Sequence, residues 1–299
     1  MNADDFGLTP GVNRAILEAH GHGIVTSTTL MANAHAFQEA ARRAHSTPGL
    51  SIGCHVVLID GVPLLKGSDV STLVTSRRQS EPCFRDGLVG FAARALRGAF
   101  DSRQIEAEAT AQFRRLQAAG LSLTHFDTHR HTHMFPAVLQ PLLRAAVTCG
   151  IRALRNPFAP ARPLPRGQLL RRAALWKRYL EVRLLRTLAG TFRRLVSDAG
   201  MITPDGSFGI VATGALDEKL FAAIAGCIPE GTWEFVCHPG YNDEPLASVK
   251  TRLRSSRAIE LNLLTSAAAK AILAEQGVEL ISYRDLLAGP TACGEPRKS

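Results

Sequence analysis

The sequence predicts an α/β fold whose strands run parallel and are joined by helical crossovers. Strand-like and helix-like segments alternate along the 299 residues, hairpin signals are few, and no internal repeat is visible. At 45 % hydrophobic, the chain can bury a large core, and a single domain over 1–299 is expected.

The elements follow in order. Thr9-Pro10 reads as an N-cap and first helical position, opening a helix to about His22. Ile24–Met31 is β-rich, and a helix from about His35 to His45 follows. Leu50–Leu58 reads as a buried strand, punctuated at its start by Pro48-Gly49. From about 60 to 90 the pattern dissolves into a loop insertion, a length that in compact proteins usually signals function or mobility. Asp101 and Gln104 resemble a capping box for a helix closed by Gly120. Leu121–Asp127 is a strand, Pro136 starts a helix ending at Gly150, and Ile151–Arg155 is another strand. A Pro-rich connector (156–166) precedes an inserted basic amphipathic helix at about 166–196. The remainder reads as a strand at Phe208–Ala212, a helix at about Leu216–Cys227 and a strand at Trp233–Cys237. A long helix near Ser256–Gln276 and a strand at Val278–Ile281 complete the order.

Composition narrows the class. No run of about 18 uncharged apolar residues occurs, so no transmembrane helix is expected. The chain opens on a polar, doubly acidic motif, so no signal peptide is expected there either. Six cysteines without a C-x-x-C pair suit reduced thiols in a cytoplasmic protein. Of the net charge of +9, the segment from Arg166 to Val196 carries +8, nine Lys/Arg against Glu181. Charge confined to one helix argues against a nucleic-acid partner, which would usually meet a stripe across the fold. On a single helical wheel Leu169, Ala173, Trp176, Leu180, Leu184, Leu188, Phe192 and Leu195 share one half. Such a helix ordinarily packs on its own domain; the sharper expectation is an in-plane contact with an anionic membrane, which would place the protein peripherally on the inner face.

Three separated clusters carry the chemistry: Asn2-Ala3-Asp4-Asp5-Phe6-Gly7, Gly53-Cys54-His55, and the run from His125 to His133. Adjacent carboxylates with a later histidine and a histidine-rich run form the ligand set of a site that activates water on a divalent metal. Strand side chains alternate, so Asp4 and Asp5 converge only where the strand ends, and Phe6–Pro10 supplies a turn. Taken alone, the pair would pass for turn chemistry and His55 for a core histidine. Gly53 beside it leaves space for an approaching group. On a strand, His125, Asp127, His129 and His131 share a face, and several imidazoles there are costly to bury without partners. His238, after Phe235-Val236-Cys237, and Arg155 also fall at predicted strand ends.

These motifs, with Gly23–Thr28, Met134-Phe135-Pro136 and Cys237-His238-Pro239-Gly240, resemble the YdjC-like carbohydrate deacetylases over most of the chain. The resemblance implies a deformed (β/α) TIM-like barrel of the glycoside hydrolase/deacetylase type. It also implies one divalent metal on Asp5, His55 and His129, and hydrolysis of acetyl from an N-acetylated amino sugar. Histidine ligation favours zinc, with magnesium the alternative. Gly53–Leu58, Thr203–Gly209, Gly231–Glu234 and Arg252–Glu260 look like the hopanoid-biosynthesis-associated branch, which implies an N-acetylglucosaminyl hopanoid lipid; a soluble chitooligosaccharide is the alternative. The family normally carries apolar residues before Asn-Ala-Asp-Asp, so the first strand is expected to be truncated, by a late-assigned start or by trimming. In the mechanism this suggests, Asp4, left free by its neighbour, is the general base and His238 protonates the departing amine. Asp127 holds a histidine in its working tautomer, Arg155 positions a carboxylate or substrate hydroxyl, and His131 and His133 orient ligands or contact substrate. A homodimer stays open. Rival classes are a phosphoesterase, which lacks a visible phosphate cradle here, and a non-catalytic metal- or nucleic-acid-binding protein.

Overall fold

Parallel pairing organises the structure, a computed structural model that describes residues 1–75, 82–172 and 174–289. The first half comprises β1 (Asn2–Phe6), α1 (Pro10–Gly21), β2 (Ser27–Leu30), α2 (Phe37–His45), β3 (Ser51–Val56), β4 (Val74–Thr75), β5 (Cys83–Phe84), α3 (Leu88–Leu96), α4 (Ser102–Ala118), β6 (His125–Thr128) and α5 (Pro136–Thr148). The second comprises β7 (Ala153–Leu154), α6 (Arg166–Arg171), α7 (Ala174–Leu185), α8 (Ala189–Asp198), β8 (Gly206–Phe208), α9 (Glu218–Ala225), β9 (Trp233–Cys237), α10 (Glu244–Ser248), α11 (Ser255–Leu264), α12 (Ala267–Glu275) and α13 (Tyr283–Ala288).

Seven strands form one parallel sheet in the order β7-β6-β3-β2-β1-β9-β8. The sheet curls until its edges meet: the Ser207 N–H donates to the Phe158 carbonyl at 3.1 Å, and the Ser207 hydroxyl to the Asn156 carbonyl at 2.6 Å. This is the deformed barrel that the motifs implied. β1 lies inside the sheet, with Asn2 and Ala3 paired to β2 on one side and to β9 on the other, and Phe6 paired to β2. Short as it is, the first strand has a partner on each side.

Local chemistry explains most boundaries. The Thr9 hydroxyl accepts from the Val12 N–H at 3.2 Å with Pro10 at the first helical position. Four expectations need correction. Asp101 caps α4, but Gln104 turns away to accept from the backbone N–H and hydroxyl of Thr72, so no capping box closes. The long helix near 256–276 is two helices, because Ser266 restarts the chain as an N-cap, its Oγ accepting from the Ala269 N–H. Val278–Ile281 is not a strand; its Ile281 carbonyl takes a hydroxyl bond from Thr26 and finds no ladder. Among the described residues the 166–196 segment forms three helices, the first ending at Arg171, and a 3-10 turn at Arg186–Leu188 resets the wheel. Leu169 and Phe192 are buried, whereas Trp176, Leu180 and Leu184 are 41 %, 57 % and 72 % exposed. Leu175, Tyr179, Val182 and Leu185 pack inward instead; Ala173 lies outside the described residues.

The 60–90 insertion is tied down where it is described. Buried Glu108 on α4 accepts from the Leu64 and Leu65 N–H groups at 2.9 and 3.1 Å, and β4 and β5 form a small antiparallel hairpin.

Candidate active site

The site sits at the C-terminal ends of β1, β3, β6 and β9, where parallel α/β folds place ligands. β1 brings both of its carboxylates there by breaking its own alternation. Between Ala3, opposite Thr28, and Phe6, opposite Leu30, it spends one residue more than β2. Asp5 takes up that bulge with φ +69°, in the left-handed region that non-glycine residues seldom occupy. Both aspartates consequently line one cavity.

Three candidate ligand atoms converge. Asp5 Oδ1 lies 3.6 Å from His55 Nε2 and 3.5 Å from His129 Nδ1, and the two ring nitrogens are 3.3 Å apart. A tetrahedral ion with bonds of about 2.0–2.1 Å spaces its ligands roughly 3.3–3.4 Å apart, so this donor set fits zinc without rearrangement. The set is two imidazoles and one carboxylate, with His129 partly exposed, which is the open three-ligand pattern of catalytic sites. Asp127 fixes the ring of His55, its Oδ1 lying 2.6 Å from Nδ1, so that Nε2 faces Asp5. Burial disfavours the His55 imidazolium, but Asp127 outweighs it and pushes the pKa up to about 9, so a cation must displace a proton there. Asp4, His55 and Asp127 also approach one another, but a guanidinium already occupies that position.

That guanidinium is Arg155, fully buried. Its Nη1 and Nη2 donate to Asp4 Oδ2 and Oδ1 at 2.8 and 2.6 Å, its Nε and Nη2 donate to Glu234 Oε1, and Nη1 lies 2.6 Å from Asp127 Oδ2. Asp4 is therefore not free, as expected, but clamped, with Asn2 donating a further bond to Oδ1 at 3.0 Å. Burial raises its pKa, yet Arg155 prevails and holds the carboxyl well below the usual range. Each carboxylate oxygen has two lone pairs, so Asp4 Oδ2 keeps one beside His238 Nε2, 3.8 Å away.

The histidine run does not continue as a strand. β6 ends at Thr128, and Arg130 and His131 turn left-handed with φ 56° and 55°. The turn lets His129, Arg130 and His131 all line the cavity, which strand alternation would forbid. His133 is buried away from it: Thr128 Oγ1 bonds its Nδ1 at 2.7 Å and Nε2 bonds the Arg155 carbonyl, steadying the arginine's backbone. His125 stacks on Tyr283 at 3.6 Å; the space left by Gly53 is filled by this ring, which a Cβ there would meet at 2.6 Å.

Sequence reading missed Arg257, Glu260, Glu234, Tyr283 and the role of Asn2. Arg257 donates from Nη2 to Asp5 Oδ2, and Tyr283 donates its hydroxyl to Glu234 Oε2 at 2.6 Å. The branch motifs Arg252–Glu260 and Gly231–Glu234 contain Arg257, Glu260 and Glu234 without indicating a role for them, and nothing pointed to Tyr283.

The cavity measures about 290 Å³. Around the polar centre its walls mix apolar side chains, Leu8, Met31, Met134 and Phe158 from the barrel and Val182 and Leu185 from α7, with charged ones, Arg130, Arg178, Glu181, Lys250 and Arg252. Fold and site together define a parallel α/β barrel with a candidate three-ligand metal site, flanked by a carboxylate and an imidazole.

Comparison with known proteins gives the family. The family model described as YdjC-like protein matches residues 1–275. A carbohydrate deacetylase of Geobacillus stearothermophilus is 35 % identical over 286 residues, covering 95 % of this chain and 96 % of that one. Carbohydrate deacetylase 1 of Listeria innocua is 32 % identical, covering 96 % and 98 %. A crystal structure of a putative cellobiose-phosphate cleavage protein from Enterococcus faecalis superposes with TM-score 0.74 at 26 % identity, covering 95 % and 97 %. The chain belongs to the YdjC-like family.

Proposed function

We propose that the chain is a metal-dependent carbohydrate N-deacetylase that hydrolyses acetyl from an N-acetylglucosaminyl lipid, a hopanoid in the reading its branch motifs favour. The observation that carries the chemistry is the convergence of Asp5, His55 and His129 within 3.3–3.6 Å, beside the Asp4–His238 pair. Asp5, His55 and His129 would hold a divalent cation, zinc before magnesium, which when bound polarises the acetamide carbonyl and acidifies water. Asp4 accepts the proton of the attacking water, aimed by Arg155 and Asn2. His238, within 3.8 Å of Asp4, protonates the sugar nitrogen as the C–N bond breaks, releasing acetate and the free amine.

The apolar part of the wall supports the lipid: Leu8, Met31, Val182 and Leu185 offer a sugar's hydroxyls no hydrogen-bond partner there. α7 supports delivery from a membrane surface. Its inner side chains Val182 and Leu185 line the cavity, while Trp176, Leu180 and Leu184 form an exposed apolar stripe beside exposed Lys177 and Arg183. Among the described residues no helix is long and apolar enough to cross a membrane.

Acetate release from an N-acetylglucosaminyl lipid and from a chitooligosaccharide, each with and without chelator, tests the reading. Chelator-sensitive release favouring the lipid is expected. Preference for the soluble sugar overturns the substrate, and release indifferent to chelator overturns the metal.

A further inference from the structure

Helix α11 carries two fully buried charged residues one turn apart, Arg257 and Glu260, each 1 % exposed, which the reaction above does not use. They reach opposite halves of the site. Arg257 Nη2 donates to Asp5 Oδ2, leaving Oδ1 as the oxygen that faces the two histidines. Its Nε is anchored on the Leu253 carbonyl at 3.1 Å, so the fork cannot swing freely. Glu260 Oε2 accepts from the backbone N–H of His238 at 2.6 Å, at the point where β9 ends and the chain turns through Pro239-Gly240. Gly240 lets Arg257 lie against that turn, since a Cβ there would meet the arginine's Cδ at 2.8 Å. Burying both ions costs solvation that a surface helix would avoid, and neither reaches solvent for compensation.

We propose that α11 is the brace of the active site, with Arg257 and Glu260 as positioning residues that set the metal-side carboxylate and the proton donor separately. Arg257 confines Asp5 to coordination through one oxygen and draws off part of its charge, so that Asp5 neutralises a bound cation less. Glu260 fixes the backbone of His238 so that its ring stays beside Asp4. The proposal rests on the deacetylase reading, but half of its test needs no turnover.

The test compares Arg257→Met, Glu260→Gln and Glu260→Leu in the full chain. Zinc affinity is read by calorimetry on folded protein, and kcat and KM from acetate release. Arg257→Met is expected to bind zinc about 10-fold more tightly and to lose about 10-fold or more in kcat. Glu260→Leu is expected to leave zinc affinity unchanged and lose about 10–100-fold in kcat with KM little altered, whereas Glu260→Gln, which keeps the acceptor, restores kcat. A brace that is only structural would move zinc affinity and kcat down together in all three variants. That result, or zinc affinity unchanged in Arg257→Met, overturns the proposal. If Arg257→Met does not fold, Arg257→Lys must show the same opposed shifts, smaller in size, or the proposal falls. Absent acetate release by the parent protein, with the zinc shifts intact, faults the deacetylase reading instead.

Discussion

In the proposed mechanism Asp4 and Asp5 divide the work of the site, because one backbone torsion separates them. With φ +69° at Asp5, one carboxylate faces the histidines and its neighbour faces Arg155. Asp4→Asn should therefore retain zinc yet lose about 10²–10⁴-fold in kcat, the span of a lost general base. His129→Ala should lose both zinc and activity. Full turnover by Asp4→Asn, measured by acetate release beside a zinc titration, would remove Asp4 from the base role. A second residue-scale prediction concerns acid. Burial and then Arg155 hold the His133 pKa down to about 3, and burial first and then Arg155 also lower those of His125 and His131. The folded protein keeps these rings neutral, so as pH falls below about 6.5 the unfolded chain takes up protons first. Stability is complete above that pH and declines toward about 3, by roughly 1.4 kcal/mol per pH unit for each such ring. Urea midpoints at pH 7, 5 and 4 should fall accordingly, and His133→Gln should flatten the slope by about one proton; an unaltered slope would contradict the assignment. The carboxylate and histidine motifs were legible because their chemistry is dense in sequence. Arg257 and Glu234 were not, because a lone arginine or glutamate in a helix or strand looks like any surface charge until tertiary packing buries it.

Among the elements, α4 and α7 show what periodicity can and cannot convey. α4 was placed within a residue or two, yet its buried Glu108 and Gln112 look polar and outward in the sequence. In the fold Gln112 clamps the Val57 N–H and carbonyl at the end of β3, and Glu108 collects the amides of Leu64 and Leu65. Glu108→Ala strands those two amides, and should cost about 1–3 kcal/mol in a denaturant titration while amide exchange near Leu64 accelerates. Unchanged exchange would mean the loop is held by other contacts. The single wheel does not hold across α6, α7 and α8 because the helix is interrupted, so residues placed on one half divide: Leu169 and Phe192 are buried, and Trp176, Leu180 and Leu184 point outward. That exposed stripe yields the element's own prediction. Trp176→Ser with Leu180→Ser and Leu184→Ser should abolish flotation with anionic liposomes while zinc affinity stays unchanged. Flotation of the triple variant equal to the parent would dismiss the membrane contact. Val278–Ile281 teaches the complementary lesson: β-propensity makes a strand only where a ladder partner is open, and here Ile281 meets a threonine hydroxyl instead.

At the scale of the whole molecule, the barrel gathers residues 5, 55 and 129 from the ends of β1, β3 and β6, within the sheet order β6-β3-β2-β1, and sets Arg155 among the carboxylates beneath them. Alternation of strands and helices was enough to foresee the parallel sheet. Closure came from the family resemblance and not from that alternation, since it depends on Asn156, Phe158 and Ser207 meeting across two irregular edges. Because the ligands belong to separate strands, a bound cation should cross-link the barrel: zinc at 100 times its dissociation constant should add about 2.7 kcal/mol to unfolding, read as a shift in the denaturant midpoint. Most direct is anomalous diffraction at the zinc edge from crystals soaked in one equivalent of the metal. The account predicts one ion, bonded to Asp5 Oδ1, His55 Nε2 and His129 Nδ1 at about 2.0–2.1 Å, with Asp4 still in the grip of Arg155 and outside its coordination. An ion on Asp4 in place of Asp5, or none between the two histidines, would contradict it.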